Sequence, residues 1–458
     1  MRNKYLYITL LSILGFSAEA TAQAVAQAPR LVVSIAIDQL RTDFLETNVP
    51  LCTSNGFKRL LAEGLVYPNA SYSFTPVDRA SATASLITGS NPYYNGITGV
   101  EWLNRSTLRP QNIVNDRQSG PSPLQLASST LGDELKVSTR GFAKVFSFAP
   151  LAENAIMAAG HAADGAAWMS QGRWFSAAYY IPSNRWLNDA ASRLKPTGDV
   201  NKCVTEMALD CIRLSGIGQD DITDLLCLSY IAAPNTAGYT TLDCYISELI
   251  DGIHRTLPAD RVLFVITSTG TTEEEEQSSE NERYRIPSGK FYINRTANLL
   301  NMYLGAIYGT GQYVETIYRN QLFLNHKLLD QKNINTGDML RQAQEFLLQV
   351  SGIRNVYTAN QLMTSDSQLL QRIRNGFNVE KCGDLLIDIQ PGWELVNEDT
   401  HTTSVSRVGY IPFPIIFYGA DIKPERIQTP VTVDRIAPTI ARVIRIRAPN
   451  ACSAEPLF

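Results

Sequence analysis

The chain is predicted to be an α/β protein in which a doubly wound, mainly parallel sheet is flanked by helices. Two observations predict this fold. Apolar, β-rich runs alternate with segments of helical spacing. The first of these runs also ends abruptly in polar residues, as strands do at the functional edge of open α/β sheets. The predicted strands are Leu31–Ile37, Lys144–Phe148, Leu225–Tyr230, Val262–Thr267 and Ile415–Tyr418, and the predicted helices include Gly56–Gly64, Ala80–Thr88, Cys244–Leu257 and Met339–Gln349.

Composition limits the classes of protein and of partner. The 458 residues are 44% hydrophobic and 18% charged, which is typical of a packed globular protein and excludes a disordered or collagenous chain. The chain carries 40 Lys and Arg against 44 Asp and Glu, a net charge of −4. Because it has no basic excess to neutralise a phosphate backbone, we expect no nucleic-acid partner.

The N-terminus has the order of a secretory signal peptide. Arg2 and Lys4 precede an apolar run over residues 5–16, and small residues lead to a cleavage site after Ala22. The apolar run is shorter than the roughly 20 residues of a membrane-spanning helix. We therefore predict a signal peptide over residues 1–22 and a soluble, exported, periplasmic domain over residues 23–458.

The cysteines add two expectations. No cysteine precedes Cys52, so we expect no lipid anchor at the cleavage point. In an oxidising compartment some of the seven cysteines should pair, and the odd number leaves at least one free. None forms a CxxC zinc motif, so a structural role is expected for all of them. They are Cys52, Cys203, Cys211, Cys227, Cys244, Cys382 and Cys452.

The sequence resembles the alkaline phosphatase superfamily, in the type I phosphodiesterase/nucleotide pyrophosphatase branch, and most closely the exported PafA-type alkaline phosphatases. The segments that carry the resemblance occur in family order and cover nearly the whole mature chain. They are Ile35–Leu45, Gly56–Ala70, Ser85–Gly99, Ala159–Trp168, Asp224–Tyr230, Cys382–Trp393, Phe413–Pro424 and Asp434–Ala441. The resemblance implies the α/β fold of this superfamily, with cap insertions within residues 100–220 and 270–400.

The resemblance also implies a site that this chain lacks. The family uses two zinc ions, held by Asp and His side chains, which activate a Thr or Ser nucleophile. Asp38 matches the first metal-binding aspartate. The nucleophile position falls on Arg79, whose guanidinium stays protonated and cannot attack phosphorus.

The other family ligands are also replaced. An Asp and a His of the family fall on Asn235 and Tyr239, and an adjacent Asp-His pair falls on Ser268 and Thr269. The last histidine falls near Thr403. The chain has only four histidines, of which His401 could restore that ligand if the alignment slips; the others are His161, His254 and His326.

The substrate-binding positions differ as well. An asparagine of the family corresponds to Val100, and the lysine and arginine that hold phosphate correspond to Leu151 and Glu153. Glu153 would repel a phosphate. The loss of nearly every chemical position on a preserved scaffold indicates a pseudoenzyme, so no zinc is expected; if any metal binds, Asp38 and His401 would be its ligands.

A buried carboxylate that has lost its metal is costly unless it is paired or protonated. We therefore predict that the Arg79 guanidinium pairs with Asp38; the alternative is an exposed Arg79 with Asp38 capping a turn. His161 is expected to have a hydrogen-bonded structural role, and His254 and His326 to lie at the surface or in packing.

Two functions are compatible with these residues. The favoured one is an exported, catalytically inactive protein that binds or scaffolds an unknown exported or envelope protein. The alternative is a divergent metal-dependent phosphomonoesterase or phosphodiesterase with a rearranged site through Asp38, Asp78 and His401. Substitute nucleophiles at Asp78, Ser81 or Thr83 are disfavoured because without metals nothing would activate them.

Overall fold

A computed structural model describes residues 27–116, 120–180, 185–193, 198–270, 289–405 and 411–458. The predicted signal peptide over residues 1–22 lies outside these ranges. Within them, no helix combines the length and apolar character that crossing a bilayer requires.

A large sheet forms the centre of the molecule. Its strand order is β20-β2-β19-β11-β1-β10-β7-β8-β9, and β21 pairs with β2. These strands are β1 Leu31–Asp38, β2 Leu65–Ser71, β7 Val145–Ala149, β8 Gly165–Ser170, β9 Arg173–Ser176, β10 Asp224–Ile231, β11 Val262–Ser268, β19 Phe413–Gly419, β20 Glu425–Arg426 and β21 Val431–Thr432.

The five neighbouring strands from β8 to β11 pair in parallel, while β9, β19 and β2 join the sheet by antiparallel pairs. Every residue of β1 is buried, because helices cover both faces of the sheet. The prediction of an α/β fold with a mainly parallel sheet is confirmed. In register, Asp38 aligns with Ile231, and Ile37 aligns with Ser268, so the carboxyl ends of β1, β10 and β11 meet at one edge.

Helices follow most strands of this sheet, as the helical spacing predicts. They are α1 Thr42–Asn48, α2 Phe57–Glu63, α3 Arg79–Thr88, α4 Pro92–Asn95, α5 Leu131–Ser138, α6 Ala152–Ala159, α7 Arg185–Arg193, α8 Val200–Leu214, α9 Thr236–His254 and α15 Ile436–Ile444. Single-turn 3₁₀ helices occupy Val49–Leu51, Ala259–Arg261 and Val433–Arg435. The apolar residues of the sheet and these helices form two buried clusters, one on each face.

Residues 289–405 form a second region with its own buried cluster. It contains two small sheets, of order β12-β17-β18 and β13-β14-β16-β15. Its strands are β12 Gly289–Tyr292, β13 Val314–Tyr318, β14 Gln321–Leu324, β15 Ile353–Thr358, β16 Leu385–Ile389, β17 Trp393–Asn397 and β18 Thr402–Val405. Its helices are α10 Ile293–Tyr308, α11 His326–Gln331, α12 Thr336–Leu347, α13 Ala359–Thr364 and α14 Gln368–Asn375.

Two hairpins lie within the first interval in which cap insertions are predicted. They are β3 Glu101–Asn104 with β4 Arg109–Asn112, and β5 Asn115–Asp116 with β6 Gly120–Pro121. The rest of residues 100–220 includes β7, β8 and β9, which belong to the large sheet. The limits of the cap stay a prediction.

The expectation that some cysteines pair is wrong in this structure, where all seven are free thiols. Cys203 and Cys211 lie on the same helix, α8, eight residues apart. Because a helix rises about 1.5 Å per residue, their Cα atoms are about 12 Å apart, beyond the roughly 7 Å that a disulfide spans. Cys227 is buried in β10, whereas Cys244 is exposed on α9.

Candidate functional site

Asp38 is the last residue of β1, at the edge where the parallel strands end, and only 6% of it is exposed. Its Oδ1 accepts a short hydrogen bond from the Thr269 hydroxyl. Thr269 follows β11, the parallel neighbour of β1, so the sheet register itself brings the two side chains together. Asp38 thus occupies the position expected of a metal ligand and is held by a neutral donor.

The backbone just after Asp38 is held by Tyr239. Gln39 adopts a left-handed conformation with a φ of 67°, which turns the chain out of the sheet. The Tyr239 hydroxyl donates to the Gln39 carbonyl at 2.9 Å and accepts from the Arg41 N–H at 2.9 Å. Burial raises the pKa of Tyr239 to about 12, so the phenol stays protonated at neutral pH. Tyr239 is therefore a structural support for the turn.

Ser268 and Thr269 are buried and fully engaged. The Ser268 hydroxyl accepts from the Gly270 N–H at 3.0 Å, and the Ser268 carbonyl accepts from the Tyr72 hydroxyl at 2.6 Å. Tyr72 is buried, and burial together with the nearby Asp38 charge holds its pKa well above the usual range. These contacts engage Ser268 and Thr269, the residues that the sequence predicts at the position of the family's Asp-His pair.

Arg79 is the first residue of α3, and its Nε donates to Glu153 Oε1 at 2.7 Å. The predicted partner, Asp38, is wrong: the guanidinium forms its ion pair with Glu153, which is 8% exposed. Glu153 lies in the first turn of α6, which packs against α3. Without Arg79 the buried Glu153 carboxylate would lose its ion pair, whereas Asp38 already accepts a hydrogen bond from the Thr269 hydroxyl. The free-energy cost of an unpaired charge is therefore larger at Glu153. Glu153 therefore supplies the counter-charge of Arg79, and these are the positions at which the sequence predicts a phosphate-binding residue and the nucleophile of the family.

Arg79 still acts on Asp38 through its charge. Burial raises the pKa of Asp38 to about 6, and the Glu153 charge contributes to the increase. The Thr269 hydroxyl and then the Arg79 charge oppose it. The Asn154 amide lowers the pKa a little further. Asp38 consequently titrates near pH 6, which is typical of a carboxylate without a direct cationic partner.

Asp78 serves as the N-cap of α3. Its Oδ1 accepts from the N–H groups of Ala80 and Ser81 and from the Ser81 hydroxyl, and its Oδ2 accepts from the Val100 N–H at 2.7 Å. The Thr83 hydroxyl donates to the Arg79 carbonyl at 2.7 Å. These bonds stabilise the helix start, typically by about 1 kcal/mol per cap. The residues considered as substitute nucleophiles are thus engaged in holding the scaffold.

The remaining site positions have local roles. Leu151 is the N-cap residue of α6, and the Val100 side chain packs against the core. Asn235 is exposed and caps α9, since its Oδ1 accepts from the Gly238 N–H at 2.8 Å. Thr403 lies in β18 opposite Val396 and is exposed.

His401 is exposed in the turn between β17 and β18, with a left-handed φ of 54°. Among the residues that the structure describes, no three His, Cys, Asp or Glu side chains come together in a group that could hold a metal ion. The groups that act on Asp38 are the Thr269 hydroxyl, the Asn154 amide, the Arg79 guanidinium and the Glu153 carboxylate, which is already paired with Arg79. Hydroxyl, amide and guanidinium groups do not fit zinc, which prefers thiolate, imidazole and carboxylate ligands. The predicted absence of zinc stays a prediction about the protein in solution.

The other histidines have structural partners. His161 Nδ1 lies 3.0 Å from Asp133 Oδ2, and its Nε2 lies 3.2 Å from the Leu126 carbonyl oxygen, so the predicted hydrogen-bonded role is confirmed. His254 packs against Phe264. His326 is half exposed, and its Nε2 lies 3.0 Å from Asp384 Oδ1, a partner that the sequence did not indicate.

Sequence reasoning missed two other residues of the site. Asn154 is buried next to Glu153 on α6, its Nδ2 lies 3.4 Å from the Thr83 hydroxyl, and its Oδ1 has no partner among the described residues. Tyr72 reaches the site from the end of β2. The position of Asn154 in the first turn after β7 could have indicated it, because this turn faces the carboxyl edge of the sheet.

Comparisons with known proteins agree with this fold. The chain is 24% identical to a protein named calcium-transporting ATPase from Myroides odoratus over 96% of each chain, and 22% identical to alkaline phosphatase PafA from Elizabethkingia meningoseptica over 98% of each. The crystal structure of wild-type alkaline phosphatase PafA superimposes with a TM-score of 0.81 at 21% identity, covering 94% of this chain and 98% of that one.

The family model for type I phosphodiesterase/nucleotide pyrophosphatase matches residues 32–411, which include all of β1 but its first residue, the start of α3 with Arg79, and the whole second region. The chain therefore belongs to the type I phosphodiesterase/nucleotide pyrophosphatase family.

Proposed function

We propose that this chain is a catalytically inactive, exported member of its family that acts by binding another molecule, as a scaffold or partner protein. The single observation that carries the proposal is the ion pair between Arg79 and Glu153. Arg79 occupies the position at which the resemblance predicts the nucleophile of the family. Its charge is already neutralised by Glu153, which occupies a predicted phosphate-binding position. A phosphate ester entering this cleft would find neither a nucleophile nor a free cation.

The surroundings of Asp38 support the same proposal. Zinc binding requires several deprotonated ligands around one point, and a single carboxylate cannot supply them. Thr269 and Ser268 hold hydroxyl groups in fixed hydrogen bonds, and the Tyr239 phenol is bonded to the backbone. Each replacement has its own structural partner, so the pocket is held together without a metal.

Export and the kind of partner are parts of the proposal. The signal-like order of residues 1–22 supports secretion to the periplasm, where an exported or envelope protein would be the partner. The net charge of −4 argues against nucleic acid.

A divergent metal-dependent phosphomonoesterase or phosphodiesterase is the second candidate. The observation that favours it is the family itself, because a relative over nearly the whole length is named as an alkaline phosphatase. A rearranged site would use Asp38, Asp78 and His401. Against it, Asp78 is occupied as a helix cap, and His401 lies in an exposed turn.

The test is hydrolysis of an aryl phosphate and an aryl phosphodiester by the mature chain with added zinc. We expect no turnover above that of a blank without protein. Asp260→Asn is the matched control variant, because it removes an exposed carboxylate before β11, at the other end of that strand from Ser268. Zinc-dependent turnover that disappears in Asp38→Ala or Arg79→Ala, but persists in Asp260→Asn, would establish the second candidate instead.

Restoring the missing hydroxyl sharpens the test. Arg79→Thr places a family-like nucleophile at the start of α3 while leaving the ligand positions unchanged. We expect this variant to stay inactive, because nothing would activate the hydroxyl. Turnover by Arg79→Thr would mean that a working metal site is present, and would contradict the proposal.

A further inference from the structure

A polar cleft of about 290 Å³ lies between the large sheet and the second region, away from the Asp38 side chain. One wall is the end of β2, with Ser71 and Ser73, and the neighbouring strand β21, whose Thr432 is in register with Ser71. The opposite wall is α14, which contributes Arg372 and Gln371. Clefts between packed regions are common sites for small ligands.

The two walls are fixed to each other by hydrogen bonds that leave the Arg372 guanidinium and the hydroxyls of the cleft unused. The Thr75 N–H donates to the Arg372 carbonyl at 3.0 Å, and Asn375 Nδ2 donates to the Ser73 carbonyl at 2.9 Å. These bonds set the distance between the backbone of α14 and the segment that carries Ser71 and Ser73 before any ligand arrives. Such preorganisation reduces the entropy cost of binding.

Several polar groups of the cleft have no hydrogen bond or ion pair to the residues that the structure describes. The Ser73 hydroxyl is buried and has no hydrogen-bond partner, a situation that costs about 1–3 kcal/mol in a folded protein unless a ligand or water satisfies the group. To the residues that the structure describes, the Arg372 guanidinium makes no ion pair and the hydroxyls of Ser71 and Thr432 make no hydrogen bond. The lining contains one cation and no carboxylate.

We propose that this cleft binds a small tetrahedral oxyanion, a phosphate or sulfate group that is free or carried by a small molecule. The planar guanidinium of Arg372 offers paired N–H donors to oxyanion oxygens, and charge-assisted bonds of this kind are the strong ones. The hydroxyls of Ser71, Ser73 and Thr432 on the facing wall donate to the remaining oxygens. A net positive lining without acidic residues favours an anion over a neutral sugar or a metal ion.

The cleft is separate from the Asp38 pocket but is connected to it by Tyr72. The backbone of this residue joins Ser71 to Ser73 at the cleft, while its hydroxyl bonds the Ser268 carbonyl beside Thr269. The inference holds whether or not the Asp38 pocket is catalytically inert, because none of the lining residues belongs to the positions that differ from the family's zinc site.

The experiment is isothermal titration of the mature chain with inorganic phosphate, sulfate and acetate at low ionic strength. We expect saturable binding of phosphate and sulfate, and weaker binding of the planar acetate. Arg372→Gln should raise the dissociation constant for phosphate by about tenfold or more, and Ser73→Ala by about threefold to tenfold. Arg374→Gln is the matched control, since it removes a positive charge from the same helix outside the lining.

Three results would overturn the proposal. The first is no saturation by phosphate or sulfate in the millimolar range. The second is an equal loss of affinity in Arg374→Gln and Arg372→Gln, which would mean non-specific attraction. The third is loss of binding in Arg79→Gln but not in Arg372→Gln, which would place the anion beside Asp38. Unchanged circular dichroism and unfolding midpoints in each variant separate loss of binding from loss of fold.

Discussion

Two buried carboxylates, one in each region of the molecule, differ in how they are neutralised. In the second region, Asp384 receives a two-pronged ion pair from Arg105 Nη1 and Nη2, at 3.1 and 3.3 Å, together with bonds from the His326 ring and the Leu324 N–H. In the large sheet, Asp38 receives one hydroxyl hydrogen bond, from Thr269.

The pKa values of the two residues move in opposite directions. Burial alone would raise the pKa of Asp384, but hydrogen bonds from His326 and Arg105 outweigh it and the pKa lies below the ordinary value. Burial raises the pKa of Asp38 to about 6, because no cation bonds it directly. Asp38 is therefore an under-neutralised carboxylate, whereas the ion pair of Asp384 is complete.

The largest expected change in stability comes from substitution of Asp384. Asp384→Asn leaves the partly buried Arg105 without its carboxylate and breaks the link between the β3–β4 hairpin and β14 and β16. We expect a decrease of about 3–5 kcal/mol in the free energy of unfolding, measured by urea denaturation. A change below about 1 kcal/mol would mean that this ion pair is no more than a surface contact.

Asp38→Asn should change the free energy of unfolding in the opposite direction, by stabilising the fold. Because the folded-state pKa lies above the ordinary value, Asp38 stabilises the fold only when protonated, and its contribution is lost as the pH rises from about 4 to about 6. At pH 8 we expect Asp38→Asn to raise the free energy of unfolding by about 1–3 kcal/mol, and to flatten its pH dependence between 4 and 6. Destabilisation by this variant in the presence of zinc would indicate a metal ligand.

The next largest expected change in the free energy of unfolding is that of Arg79→Ala. It leaves Glu153 buried without its cation, but the Arg79 side chain is 37% exposed and solvent screens the pair, so we expect a loss of only about 1 kcal/mol in the free energy of unfolding. Glu153→Gln in the same background should recover most of it, as a double-mutant cycle would measure. Additive effects of the two substitutions would contradict the pairing.

The smallest effect concerns His326. Asp384 raises the pKa of this histidine, so the pair stabilises the fold fully below pH 6.5, and the contribution disappears as the pH rises through the folded-state pKa. Since 47% of the ring is exposed, we expect His326→Gln to cost less than about 1 kcal/mol at pH 5.5 and nothing at pH 9, by thermal unfolding. An equal cost at both values would mean that packing, not charge, holds the ring.

The strands and the helices could be predicted because the spacing of apolar residues along each short segment indicates which side chains are buried. Leu31–Ile37 is apolar on both faces, which indicates a buried parallel strand, and the structure places β1 at the centre of the sheet. The polar residues after it indicated where the strand ends, and the carboxyl ends of β1, β10 and β11 do meet at that edge.

The pairing within the site could not be predicted in the same way. The sequence predicts that Arg79 lies near Asp38. Whether Arg79 pairs with Asp38 or with Glu153 depends on how α3 and α6 pack. It also depends on the hydrogen bond from the Thr269 hydroxyl, which reduces the need of Asp38 for a cation. Sheet register, helix packing and side-chain direction decide such choices, and none of them is local in the sequence. The Asp384 cluster was missed for the same reason.

The most direct test of the central claim is the zinc content of the mature chain after incubation with excess zinc and removal of unbound metal. We expect well under one zinc ion per chain, with no difference between the wild-type protein and Asp38→Asn, because the groups around Asp38 already bond one another. A content near two zinc ions per chain, falling in Asp38→Asn, would contradict it.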